Sequence, residues 1–227
     1  MSRGKSLSRR QQLILLSGSV VVLSWVVPIL ALLTLPLQYI YTHLHEAGHA
    51  MAFVVSGGTG VTIRVFQDGS GVTTGFGGNA LLVSPAGYVG ATAFGALVIA
   101  LAHNDRGARA ALLSMAWVLG GAMVLWVRGD LIGLVSGVIG VVALGIAATK
   151  LKGDARLFAA QFFGLFMGLA SLQAVFATLR IGQVALEMND AEILQDLTGI
   201  PAILSAVIWS AISLCLVIWA LRRSWSA

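Results

Sequence analysis

The chain has 227 residues, of which 58% are hydrophobic and 10% charged, with a mean hydropathy of +0.91. A soluble globular domain carries about a quarter charged residues, so that class is excluded; disorder falls with it, and the 27 glycines lack the collagen period. What remains is a polytopic membrane protein whose partner is the lipid bilayer. The net charge of +5 and the pI near 10.0 do not point to nucleic acid here. The 14 Lys and Arg are spread thinly through loops, where they act as topology signals. Cys215, the single cysteine, lies in an apolar run, so neither a disulfide framework nor a cysteine zinc module is available.

A helical span takes roughly 20 apolar residues. After Arg10 no Asp, Glu, Lys or Arg occurs until Glu46, which leaves apolar chain for two crossings with Pro36 as the natural break. The first span is expected over about 13 to 34, behind Arg3, Lys5, Arg9 and Arg10. It exceeds a signal-peptide core of about 7–15 residues and reads as an uncleaved anchor. The second runs from about 36 to 56 and stops at Gly57-Gly58. Residues 60 to 77 place β-branched and aromatic residues on either side of Asp68-Gly69, which predicts a β-hairpin. Open sheet edges cannot face lipid, so the hairpin belongs at the interface or inside a helical cavity.

Further spans are expected over about 80 to 102, 108 to 126, 131 to 149, 157 to 179 and 201 to 221. The expected fold is therefore an all-α polytopic membrane protein with about seven transmembrane helices, a small hairpin between spans two and three, and a single membrane-embedded domain over 1–227. The segment 181–200 is the one substantial polar stretch, with Glu187, Asp190, Glu192 and Asp196. With seven spans the Lys and Arg divide seven against seven between the faces, so the count sets no orientation. The basic N-terminus favours a cytoplasmic start. Parity puts the hairpin and the acidic segment on one face, the face where the second span ends.

Within the second span stands His45-Glu46-Ala47-Gly48-His49. On a helix the two histidines are one turn apart on one face, so both imidazoles reach a single Zn²⁺, with Glu46 beside them as general base for a zinc-activated water. Ionisable residues in hydrocarbon are costly and default to a functional reading, and Glu46 is the one acid deep within an expected span. A structural pairing of Glu46 with one histidine leaves the i, i+4 repeat unexplained. His43 points to a different face and reads as an interior histidine. His103, in the loop HNDRGAR, reads as solvated.

Catalytic zinc usually takes three protein ligands. Parity brings 181–200 near the histidine helix, so Asp190, Glu192, Glu187 and Asp196 are the candidates for the third. Taken singly, each reads as a solvated acid; taken as a set, one of them is expected to be the ligand. Asn79 reads as the N-cap of the third span. The glycines at 71, 75, 77 and 78 serve turns and close packing.

The chain resembles the M50 family of intramembrane metalloproteases, the site-2 protease group, and within it the compact M50B-like branch. The matching pieces are HEAGH at 45 to 49, Gly57-Gly58, QDGSGVT at 67 to 73, SPAGYVG at 84 to 90 and NDAEILQDLTGIP at 189 to 201. The resemblance implies an intramembrane zinc metallopeptidase with one Zn²⁺ per chain, hydrolysing peptide bonds of membrane-embedded protein substrates. It favours Asp190 as third ligand, with Glu192 in reserve. Two other classes compete. A transporter or channel would use the His/Glu cluster as a metal or proton site, but the chain lacks internal repeats and several polar broken helices. A noncatalytic zinc-binding membrane protein would have no use for the base Glu46. Arginine in excess over lysine, with abundant Ala and Gly, suggests a GC-rich genome, so the expected location is a bacterial cell membrane.

Overall fold

The computed structural model describes residues 7–179 and 189–226. In chain order the elements are α1 (Arg9–Val26), α2 (Pro28–Val55), β1 (Thr59–Val65), β2 (Gly71–Phe76), α3 (Ala80–Leu101), α4 (Asp105–Trp126), α5 (Leu131–Lys150), α6 (Gly153–Leu179), α7 (Asp190–Thr198) and α8 (Ala202–Ser226). Among the described residues four helices, α3, α4, α5 and α8, are long and apolar enough to cross a membrane.

Helix α5 buries mostly small residues and exposes large ones, the inverse of a soluble protein. On α5 Gly133, Gly137, Gly140, Leu144 and Ala148 are buried, whereas Leu134, Val135, Val138, Ile139, Val142 and Ile146 are exposed. Lipid solvates large aliphatic side chains as well as a core does, so association rests on close backbone approach through small residues. Gly95 of α3 and Gly164 of α6 show this directly. A Cβ added at Gly95 would stand 2.6 Å from the Gly164 carbonyl oxygen, and one added at Gly164 would stand 2.9 Å from that of Gly95.

The first break in the chain differs from expectation. It falls at Val27, which is extended (φ −105, ψ 108), immediately before Pro28 at the start of α2. A residue preceding proline is pushed out of the helical region, while proline itself is well tolerated in the first helical turn. Pro36 stays inside α2, where it removes one backbone hydrogen bond.

The helix ends sort into two faces. Arg9 at the start of α1 pairs with Asp154 at the start of α6 at 2.6 Å. Arg156 donates to Asp105 at the start of α4 at 2.6 Å, and Arg10 donates to the Trp225 carbonyl near the end of α8 at 3.3 Å. The opposite face carries the hairpin, the α4–α5 connection, α7 and the start of α3. There the Val65 N–H donates to Asp130 Oδ2 at 2.6 Å, and Ala191 and Leu194 of α7 pack with Ala80 and Ala202. The start of α1 and the end of α8 thus lie on one face and the hairpin that follows α2 on the other, so that α1 and α2, separated by Val27 alone, lead together from one face to the other; of the seven spans expected, four are shown among the described residues.

The hairpin is antiparallel, pairing Thr62 with Thr74, Ile63 with Thr73, Arg64 with Val72 and Val65 with Gly71. Gly69 supplies the positive φ of 85° that the tight turn needs, and Asp68 Oδ1 accepts from the Ser70 N–H at 3.0 Å and the Ser70 hydroxyl at 2.7 Å. Two side chains of α2 hold the turn. Tyr39 donates to the Gln67 carbonyl and Thr42 to the Gly69 carbonyl, each at 2.6 Å. Ile63 and Val65 are buried, so β1 turns these two side chains towards the helices.

Candidate metal centre

Helix α2 presents Tyr41, His45 and His49 at intervals of four, which stacks them along one face. That face meets α3 at unusually close range. A Cβ at Gly48 would lie 2.5 Å from the Ala86 carbonyl oxygen, and one at Gly87 would collide with His45 Nε2 and His49 Nε2. The absence of a side chain at Gly87 leaves open the space onto which the two imidazoles converge.

His45 Nε2 and His49 Nε2 lie 3.1 Å apart, and each is 3.2 Å from Asp190 Oδ2. Among the described residues these three are the His, Cys, Asp or Glu side chains grouped closely enough to hold a metal ion. The ring orientations are fixed from behind. The Val83 carbonyl can only accept, so His49 Nδ1 carries the proton it donates at 2.7 Å, which frees Nε2 as a lone-pair donor. His45 Nδ1 lies 3.1 Å from the Tyr41 hydroxyl. Tyr88 meets the His45 ring edge-on, with centroids 4.6 Å apart, and stacks in turn on Trp209.

Local sequence explains why Asp190 arrives there. Asn189 caps α7 and forms a capping box with Glu192, which places Asp190 in the first turn. Ala191 and Leu194 then fix the helix against Ala80, Ala202, Ala206 and Trp209. Burial alone would raise the Asp190 carboxyl, but the hydrogen-bonded His49 and His45 imidazoles outweigh it and hold the group well below the usual carboxylate range.

The other sequence candidates are placed elsewhere. The Glu192 carboxylate accepts from the Asn189 N–H at 2.8 Å, closing the capping box. Asp196 is exposed on α7, and Glu187 lies outside the described residues. His43 is fully buried with Ser136 Oγ 3.0 Å from Nε2. His103 is exposed, and Asn79 caps α3 by accepting from the Leu81 N–H at 2.9 Å.

Glu46 is buried beside β2. Thr73 donates to Glu46 Oε2 at 2.7 Å, and the strand approaches so closely at Gly71 that a Cβ there would stand 2.9 Å from Glu46 Cγ. A cavity of about 660 Å³ opens over this arrangement, lined by Glu46, His49, Asp190, Val72, Thr73 and Leu197 among others. The sheet order is β1–β2, so the outer edge of β2 has no strand partner among the described residues. Tyr41 and the Val83 carbonyl carry no site signal of their own in the sequence, and Thr73 and Gly87 only stand within the matching pieces QDGSGVT and SPAGYVG. Tyr41 was within reach, since it precedes His45 by four residues on the same helix face; the others are contacts across elements.

Comparison with curated proteins and with solved structures gives no match. Comparison with protein families does: Peptidase M50B-like matches residues 15–220, a stretch that holds the histidine helix, the hairpin and α7, and the chain belongs to that family.

Proposed function

We propose that the protein is an intramembrane zinc metallopeptidase, a metalloendopeptidase of the site-2 protease type, that hydrolyses peptide bonds of membrane-embedded protein substrates. The observation that carries the reading is a cluster of three metal-capable donors, two of which, His49 and Asp190, line one cavity together with a buried glutamate and an unpaired strand edge. Two imidazole nitrogens and one carboxylate oxygen form a donor set typical of catalytic zinc. Their separations of 3.1–3.2 Å approach the ~3.3 Å edge of a tetrahedral site with ligands at about 2.0 Å. His45, His49 and Asp190 would hold one ion per chain, and the cradle at Gly87 leaves room for it. We further read residues 1–227 as one membrane-embedded domain, multi-pass in a bacterial cell membrane, with α6 and the α1–α2 pair crossing beside the four apolar spans.

Bound zinc supplies the Lewis acid that acidifies water and polarises a scissile carbonyl. Glu46 takes the proton from the attacking water and returns it to the departing amine. Thr73 holds one carboxylate oxygen of Glu46 and leaves the other free for that transfer. Asp190 and His49 line the same cavity as β2, and β2 offers its outer edge to a substrate strand, which would extend the segment and release the carbonyls that a helix hides in its own hydrogen bonds.

The test is Glu46→Gln. Purified in detergent, this variant should retain one zinc per chain and lose cleavage of single-span reporter proteins that the parent cuts. A variant that still cleaves, or a parent without zinc under conditions that preserve the fold, contradicts the reading.

A further inference from the structure

The basic residues are divided very unequally between the two faces. Of the 14 Lys and Arg, Arg3, Lys5 and Arg180 lie outside the described residues, which leaves 11. Arg9 and Arg10 open α1, Arg106 and Arg109 lie in the first turns of α4, Lys150 and Lys152 close α5, Arg156 sits in the first turn of α6, and Arg222 and Arg223 lie in the last turns of α8. The two ion pairs and the Arg10 hydrogen bond that join these ends put all nine on one face. Only Arg64 and Arg128 lie at the other, with the hairpin and the α4–α5 connection.

Among the described residues this differs from the even division expected from seven spans. Since α1 and α2 cross once between them and not twice, Arg9 and Arg10 join the face of the α3–α4 and α5–α6 connections and leave that of the hairpin. The acidic side chains reinforce the asymmetry. Asp68, Asp130, Asp190, Glu192 and Asp196 lie at the hairpin face, whereas Asp105 and Asp154 are the acids of the basic face, both paired with arginine.

We infer that the basic face is cytoplasmic and that the candidate metal centre opens towards the extracytoplasmic side, so that its substrates are membrane proteins whose scissile bond is presented in the outer half of the bilayer. Short connections rich in Lys and Arg remain on the cytoplasmic side, where the anionic leaflet also attracts them, and nine against two is a decisive excess. The depth follows from the contacts. His49 is held by Val83, three residues into α3, which is about 4.5 Å along the helix from its outer end. The orientation stands on charge and topology alone; the statement about substrates rests on the peptidase reading above.

The orientation is tested in a Cys215→Ala background by labelling bacterial cells, with the outer membrane permeabilised, with a membrane-impermeant maleimide. Gln67→Cys in the hairpin turn should label with the inner membrane intact. Lys152→Cys between α5 and α6 should label only after that membrane is opened. The reverse pattern, or equal labelling of both in intact cells, overturns the inference. A fluorescent protein that matures only in the cytoplasm, fused after Ala227 of the otherwise unchanged chain, reads the same face without any substitution. Fluorescence is expected, and its loss at full expression is the contrary result. Neither readout needs zinc or cleavage, so their failure leaves the peptidase reading untouched. On active protein, of two single-span reporters softened by Gly-Pro at either the outer or the inner end, only the first should be cut. Cutting of the second alone overturns the assignment of substrates.

Discussion

Replacing Gly87 by alanine is expected to abolish zinc binding while leaving the bundle folded. The added methyl would point between the two imidazoles, colliding with both Nε2 atoms and lying 2.6 Å from His45 Cε1. Ordinary carbon contacts begin at about 3.5 Å, so α3 or the imidazoles must yield by about 1 Å. Overpacking of this kind costs about 1–3 kcal/mol, which a helical bundle with so many other interfaces can absorb. A zinc site cannot absorb it, because donor distances tolerate about 0.2 Å. Gly90→Ala is the control: one turn along the same helix, its Cβ would meet only Gly48 Cα at 4.0 Å. Zinc per chain, measured by mass spectrometry on monodisperse detergent-purified protein, should fall to background in Gly87→Ala and stay at one in Gly90→Ala. A Gly87→Ala protein that binds one zinc per chain with the parent's affinity would refute the placement of the ion against α3.

Three further outcomes separate the roles of neighbouring side chains. Asp190→Asn should lose zinc, whereas Glu192→Ala should keep it and give up about 1 kcal/mol of helix-cap stability, seen as a lower melting temperature at unchanged metal content. Tyr41→Phe removes the hydroxyl behind His45 Nδ1 and should weaken zinc affinity about 10- to 100-fold in chelator competition, with the fold intact. Thr73→Val deletes the hydrogen bond to Glu46 Oε2; a bond to a charged group is worth about 1.5–3 kcal/mol, so kcat should fall about 10- to 150-fold at unchanged KM and zinc content. Equal loss of zinc in Thr73→Val would instead assign Thr73 to the stability of the site.

Local chemistry made much of this protein legible without a fold. Apolar runs of the length of a span became α3, α4, α5 and α8 within a few residues of their expected limits, because a segment that must satisfy its own backbone in hydrocarbon has little choice but helix. The Asp68-Gly69 pair announced the hairpin turn, since the positive φ at Gly69 is open to few other residues. The i, i+4 histidines fixed two converging imidazoles and the adjacent glutamate through helical geometry alone.

The tertiary structure decided what depends on sums over distant segments. Where the first apolar run breaks was one such case: Val27 is extended ahead of Pro28, which opens α2, whereas Pro36 stays inside the helix, and the packing of the helix ends, not either proline, decides the face on which each basic residue falls. Residue chemistry by itself also left open which acid stands beside the histidines, and only the family resemblance favoured Asp190. Asp190 and Glu192 are two residues apart and chemically alike. The capping box turns Glu192 back onto its own helix start, and the apolar contacts of Ala191 and Leu194 aim Asp190 at the imidazoles. Spacing along the chain fixes what a helix presents, but only packing between helices determines what that face meets.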